Sequence, residues 1–335
     1  MNLAQPLPYP GTLTDVAGLA VGHAAMAGRP TGCTVVLCPD GASAGVAQRG
    51  GAPGTRETDL LRPENAVPVV HGLLLTGGSA FGLDAAGGVL RWLARHGHGL
   101  AVGPARVPIV PAAVLFDLWL GDAAIHPDAD CGEAACALAS TAAPAQGNHG
   151  AGLGASVGKL FGIARAMKGG VGCASLRVGG VTVAALMVVN AIGDVISADG
   201  QALAGARSPD GTALYGTARA LRAGERGHTP VLPPAGAATT IGLVATDAPL
   251  SKLQAHQLAG LASHGLARAI DPLTLHDGDT LFALATGRAA AVELPDLSTL
   301  GALGAEVVAR AIRNAVWHAE PLVAHGLPSM RSQAA

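Results

Sequence analysis

The chain is short of aromatics, of charge and of long apolar runs, and each shortage closes off a class of function. Only 3% of its 335 residues are aromatic and 13% are charged, against a usual charged share of about 25%. The net charge is −2, and no basic stripe is interleaved with aromatics, so no nucleic-acid partner is expected. No apolar run reaches the roughly 18 residues a membrane span needs; the longest candidate, Val181 to Val189, stops at Asn190. The opening MNLAQPLPYPG has neither a basic n-region nor an apolar h-region, so no secretory signal is expected and a cytoplasmic protein is. Cys33, Cys38, Cys131, Cys136 and Cys173 are odd in number and lack a CxxC or Cys/His ligand spacing. They read as reduced, mostly buried thiols, with no metal site expected.

What is abundant is small. Half the residues are apolar and 48 are glycine, a composition that suits closely stacked layers. The chain is long enough for one large domain or two ordinary ones. Sparse charge also suggests apolar surface covered by further copies of the chain, hence a homo-oligomer.

Along the chain, Thr14 to Val21 and Thr34 to Cys38 read as strands, with Gly45 to Ala47 as a third. The loop GGAPGTRETDLL carries Arg56, Glu57 and Asp59, either a solvated surface or a grip on a ligand. Val69 to Leu75 has strand character, and Leu83, Ala86, Leu90, Leu93 and Ala94 recur at helical spacing. Between them lies GGSAFG. There Gly77 and Gly78 allow a close backbone approach, and Ser79 fails the G-x-S-x-G elbow because residue 81 is Phe, leaving Ser79 as a helix N-cap. A buried strand is expected within Pro108 to Asp122, and a short helix capped by Asp128 after it.

GNHGAGLGASVGKL misses both nucleotide fingerprints on spacing. Lys159 within it, in an apolar and Gly-rich setting, is either a snorkelling lysine or a site lysine. Cys173 to Arg177 and Val181 to Val189 flank Gly179-Gly180 as a hairpin that ends at Asn190, a turn residue or a side-chain amide aimed into a pocket. The stretch from Asp199 to Ala238 has little periodicity, which marks a functional or disordered connection. A strand, Ile241 to Ala245, and a helix from Ser251 to about Ile270 follow. Asp277 and Asp279 then stand two apart at the start of another strand, so both point to one face. Two same-side carboxylates need a cation, a proton or donors, unless the D-G-D is only a turn. A helix from Leu300 to Trp317 ends the pattern.

The stretch AGAATTIGLVATDAP is where the chemistry concentrates. Thr239 and Thr240 sit between a Pro-rich lead-in and the strand. Either the threonines simply begin a strand, or the chain is cut before Thr239, leaving a threonine whose own α-amine can act as its base.

GGAPGTRETDLL, LTGGSAFGLDAAGGV, VGKL with KGGVGCASL, VVNAIGDV, TTIGLVATDAPL and HDGDTLFALATG occur in the order found in a family of self-processing hydrolases. The chain resembles this family, which includes D-aminopeptidases, β-peptidyl aminopeptidases and 6-aminohexanoate-oligomer (nylon oligomer) hydrolases. The resemblance runs from about residue 12 to 318 and is strongest toward the nylon-oligomer branch. It implies a single domain with a four-layer α/β/β/α sandwich, of the N-terminal-nucleophile-hydrolase type. It also implies cleavage between Ala238 and Thr239 into 1–238 and 239–335, two chains that stay together, and homo-oligomers that are tetramers of αβ units. Thr239 matches the nucleophile, Asp277 and Asp279 its orienting pair, Asn190 the oxyanion-side amide and Lys159 the site lysine. A substrate-contacting Tyr falls on Phe116, which has no donor; Gly77, Gly78 and Ser79 are carried with it as substrate-side residues. Ala238 departs from the Asn of the nylon branch and the Gly of the aminopeptidases, while the fold-related ornithine acetyltransferases cut at Ala-Thr. The implied activity is amide hydrolysis of a small peptide or oligoamide through an acyl-enzyme, without cofactor or metal. An acyltransferase using the same Thr, or an unprocessed non-catalytic protein, are the alternatives.

Overall fold

A computed structural model describes residues 7–225, 238–290 and 293–333. Nine strands form its main sheet system: β1 (Ala20–Ala25), β2 (Gly32–Gln48), β3 (Gly54–Arg56), β4 (Val70–Thr76), β5 (Ala112–Val114), β6 (Gly170–Val178), β7 (Val181–Val189), β8 (Ile241–Thr246) and β9 (Thr280–Ala285). They run in the order β6-β7-β8-β9-β2-β4-β5-β3, with β1 also on β2. The α-helices among the described residues are α1 (Ala85–Arg95), α2 (Ala129–Ala137), α3 (Thr217–Arg222), α4 (Lys252–Ala262), α5 (His264–Ala267), α6 (Leu297–His318) and α7 (Met330–Gln333).

Period-two alternation sorts the strand side chains into three apolar cores. Val35 and Leu74 face α1 and α2, packing with Val89 and Ala135. Val36, Leu73 and Leu75 point the other way and meet Leu186, Leu243 and Phe282 between the sheets. Met187, Val244 and Leu281 face outward again, onto Leu258 of α4 and Val308 and Ile312 of α6. Three cores need four layers, so the expected α/β/β/α sandwich is the observed one. β2 belongs to both sheets: Cys33 to Leu37 pair with β4, and Ser43 to Gln48 pair with β9.

Several boundaries differ from the sequence expectations. The strand expected over Thr14 to Val21 starts only at Ala20, because Asp15 accepts the Thr12 N–H at 2.8 Å and closes a 3-10 turn over Leu13–Asp15. The two strands expected at 34–38 and 45–47 are one, since Pro39-Asp40-Gly41 forms an irregularity in the pairing rather than a break; Gly41 takes a φ of 91° there. Ser79 is not an N-cap. It has a φ of 54° inside a 3-10 helix, Ser79–Asp84, and α1 begins only at Ala85. The helix from Ser251 is interrupted at Ser263, whose hydroxyl turns back to the Gly260 carbonyl at 2.7 Å. Within Pro108 to Asp122 only Ala112–Val114 is strand. The Asp128 cap stands as expected, accepting the Cys131 N–H at 2.9 Å. The weakly periodic stretch holds a strand at Ala202–Ala204 and α3, and its residues 226–237 lie outside the described residues. All five cysteines are buried and free. Among the described residues, no helix is long and apolar enough to cross a membrane.

The glycine content has a packing reason where α1 crosses α2. A Cβ on Gly88 would sit 1.7 Å from the Ala129 carbonyl oxygen, and one on Gly132 would sit 2.0 Å from that of Ala85. Gly88→Ala is therefore expected to force the helices apart and cost about 1–3 kcal/mol, read as a lower melting temperature. An unchanged melting temperature would mean that the helices do not meet this closely.

Candidate active site

Strand register brings the candidate residues together. β8 and β9 are parallel with Ile241 opposite Thr280, and an isolated bridge pairs Ala238 with Asp277. The chain entering β8 therefore runs beside the D-G-D turn entering β9. On the other side β7 is antiparallel to β8 with Val188 opposite Ile241. Carrying that register outward places Asn190 opposite Thr239, and the Thr239 N–H donates to the Asn190 carbonyl at 2.9 Å. Three segments far apart in sequence thus end at one point.

Thr239 is buried, with its Oγ1 2.5 Å from the Ala238 carbonyl oxygen. The same carbonyl accepts the Gly278 N–H at 3.1 Å. Gly278 has no room for a side chain: a Cβ would lie 2.4 Å from the Ala52 oxygen and 2.9 Å from Thr239 Oγ1. The two acids flanking it have different surroundings. Asp277 accepts from Ile192 N at 3.2 Å, Thr274 N at 3.2 Å and Thr274 Oγ1 at 2.6 Å. Asp279 accepts from Thr240 N at 2.7 Å. Burial, then the negative charge of Asp277, pushes the Asp279 carboxyl up to about 8. Near neutrality these causes favour the protonated form of Asp279.

Lys159 is buried against the same point. Its Nζ donates to Asn190 Oδ1 at 2.6 Å, Asn190 O at 2.8 Å and Ser156 O at 3.1 Å. Burial lowers its pKa to about 7, opposed by Asp277, Asp117 and Asp279. Asn190 Nδ2 donates to the Phe116 carbonyl at 3.0 Å, while its Oδ1 also accepts the Ser156 N–H at 3.0 Å. Phe116 therefore joins the cluster through its backbone. Its ring, half-buried, packs on Trp119 with centroids 5.1 Å apart.

Gly77, Gly78 and Ser79 lie one step further away. Gly78 N donates to Asp117 Oδ1 at 2.9 Å, and a Cβ on Gly77 would sit 2.3 Å from Asp117 Oδ2. Ser79 N donates to the Leu115 carbonyl. Asp117 is fully buried, pairs with Arg29 at 2.5 Å and accepts from Thr31 Oγ1 at 2.6 Å. This pair anchors the segment that carries Phe116. Lys168, also buried, donates to the carbonyls of Gly152, Ala155 and Gly169, which fixes the loop leading to Ser156; burial brings its pKa to about 7. Sequence reasoning missed both groups. A lone Asp in the apolar run VLFDLWL and a lone Lys before Gly-Gly were the available signals.

Of the loop residues Arg56, Glu57 and Asp59, Glu57 Oε2 accepts the Val110 N–H at 3.2 Å, and Asp59 lines a cavity of about 520 Å³ with Gln48, Arg49, Arg62 and His256. Thr239, Asp277 and Asp279 do not line that cavity. The buried cluster, where a hydroxyl, a polarised carbonyl, two acids and a lysine meet, is the better candidate for chemistry. Among the described residues, no group of three or more His, Cys, Asp or Glu side chains could hold a metal ion.

The chain is similar in sequence and in fold to known proteins. The sequence is 42% identical to an uncharacterized aminopeptidase of Mycobacterium bovis, covering 96% of this chain and 97% of that one. It is 31% identical to the 6-aminohexanoate-oligomer endohydrolase of Paenarthrobacter ureafaciens, over 90% of this chain and 84% of that one. The fold matches that of a Burkholderia sp. beta-aminopeptidase with a TM-score of 0.71 and 25% identity, covering 100% of this chain and 94% of the other. The nucleophile-hydrolase-like sandwich expected from the sequence is therefore the one found. Residues 11–327 match peptidase family S58, so the chain belongs to that family and with it to the hydrolases of peptide and amide bonds.

Proposed function

We propose that this protein is a self-processing amide hydrolase whose nucleophile is Thr239, freed as an N-terminus by cleavage after Ala238. The observation that carries this reading is the Thr239 hydroxyl lying 2.5 Å from the oxygen of its own upstream carbonyl, which Gly278 N–H already holds. Oγ1 attacks the Ala238 carbonyl carbon, the C–N bond breaks, and the proton of the hydroxyl passes to the departing nitrogen. The ester so formed takes up water, which releases the Ala238 carboxyl and restores the hydroxyl beside a free amine. The products are 1–238 and 239–335, retained in one fold.

An α-amine has a reference pKa of about 7.7–8.0, so at neutral pH a useful fraction is unprotonated and can accept the proton of its own hydroxyl. A substrate carbonyl would take the place of the Ala238 carbonyl. Gly278 N–H and the second N–H of the Asn190 amide are the proposed oxyanion donors, each worth about 3–4 kcal/mol when it acts as such. Asp277 orients the Thr239 hydroxyl before cleavage and the amine after it, and Lys159 adds charge behind Asn190. Water then hydrolyses the acyl-enzyme.

The substrates proposed are short peptides or oligoamides with a free amine, as the names of the β-aminopeptidase and the oligomer endohydrolase suggest. The αβ units are proposed to assemble as a homo-oligomer, a tetramer in the family expectation. Exposed Phe81 and Trp119 supply apolar surface for that contact.

Intact-mass measurement of the purified protein is the test. Two chains are expected, one ending at Ala238 and one beginning at Thr239. A single full-length chain that hydrolyses neither β-alanine p-nitroanilide nor 6-aminohexanoate oligomers would overturn the reading.

A further inference from the structure

We infer that Thr274 is a positioning residue: its hydroxyl and backbone N–H together clamp Asp277 Oδ2 and so fix which acid of the pair carries the shared proton. The inference rests on the proposed function and adds to it a residue outside the set that meets the reacting atoms.

The clamp is well defined. Thr274 Oγ1 lies 2.6 Å from Asp277 Oδ2 and Thr274 N lies 3.2 Å from the same oxygen. The hydroxyl is itself oriented, because it accepts the His276 N–H at 3.2 Å. Its hydrogen is therefore committed to the carboxylate. The other oxygen of Asp277 accepts from Ile192 N, in the segment that follows Asn190. Among the described residues, Asp279 has a single N–H donor, from Thr240, on its Oδ1. Three donors against one decide where the pair keeps its negative charge, since a charge-assisted bond is about twice as strong as a neutral one.

Among the described residues, the charged and titratable groups around Asp277 are Asp279 on the same turn, Lys159 from the segment facing it and the neighbouring His276, joined after cleavage by the Thr239 amine. Thr274 is the neutral member that selects between the two acids. Without its hydroxyl, Asp277 loses its shortest bond and gains proton affinity, so the proton moves toward it. The group proposed to orient the Thr239 hydroxyl in the uncut chain, and its amine after cleavage, then holds less of the pair's negative charge.

Self-cleavage of the chain's own Ala238–Thr239 bond reads this out with no external substrate. The full chain is made by cell-free translation, pulse-labelled, and chased from pH 5 to pH 9 with the fragments resolved on a denaturing gel. Thr274→Val and Thr274→Ala are each expected to slow cleavage about 10–100-fold and to move the acid limb of the rate profile upward by about one pH unit. Thr274→Ser keeps the hydroxyl and is expected to restore both. Circular dichroism of each variant checks that it is folded. The inference is overturned if either folded variant cleaves with the unaltered rate and profile while Asp277→Asn stops cleavage, an outcome that leaves the proposed function standing. It is also overturned if Thr274→Ser is as slow as Thr274→Val. If the unaltered chain never cleaves, the proposed function falls and this inference with it.

Discussion

Thr239→Ala is expected to yield one folded 335-residue chain with no hydrolase activity. The substitution removes the only atom that can attack the Ala238 carbonyl in the proposed sequence, and it removes the nucleophile of every later turnover. Loss of a covalent nucleophile in other hydrolases costs on the order of a millionfold in kcat, so activity should fall below detection. Folding should survive, because the hydroxyl makes one hydrogen bond, to the neighbouring carbonyl, worth about 1 kcal/mol net. Two controls sharpen the result. Thr239→Ser keeps the oxygen and should still cleave. Thr240→Ala should cleave as well, since Thr240 enters the site through its backbone N–H on Asp279. Mass spectrometry separates the cases: a cut in Thr239→Ala, or an intact Thr240→Ala, would assign the nucleophile to the wrong threonine.

The sequence made the two ends of this arrangement legible but not the join. The β-rich apolar runs Val181 to Val189 and Ile241 to Ala245 marked strands, and two acids at the mouth of the next strand asked for partners. That Asn190, Thr239 and Gly278 lie side by side depends on β8 being antiparallel to β7 yet parallel to β9. Pairing of that kind is a property of topology and leaves no local trace. The family resemblance supplied the missing step for the proposed nucleophile and for the proposed roles of the acids, Asn190 and Lys159. It gave nothing for Arg29, Asp117, Lys168 or Thr274, whose partners are mostly backbone carbonyls, backbone amides or one distant side chain. The β2 expectation failed for a related reason. Pro-Asp-Gly is a turn signal, but a strand that passes from one sheet to the other has to bend, and those residues supply the bend. Ser79 failed because a serine before a helical pattern is usually a cap, whereas here a 3-10 segment intervenes.

Asp279→Asn is expected to make the protein more stable at pH 8 while severely impairing its reaction. The folded-state pKa of Asp279, about 8, lies above the roughly 3.9 of an unfolded aspartate. Between those values the folded chain holds a proton that the unfolded chain releases, so stability falls as pH rises from about 4 to about 8 and then levels. Lys159 works in the opposite sense. Its pKa of about 7 lies below the ordinary value of about 10.4, so its contribution rises with pH from about 7 upward. The two windows meet near pH 7–8, where burial of these groups costs most. Asparagine has the shape of the protonated acid and keeps an oxygen for the Thr240 N–H, so the variant deletes the falling arm alone. A gain of a few kcal/mol at pH 8, and little change at pH 4.5, is the order of magnitude expected. Urea titrations are best made in the Thr239→Ala background, where a single uncut chain can unfold reversibly. Activity is measured with Asp279→Asn alone and should drop about 100-fold or more, because the proton on the acid pair can no longer move. Equal pH slopes for the two chains would show that Asp279 is ionised in the folded state. The division of labour between the acids would then be the reverse of the one their hydrogen bonds imply.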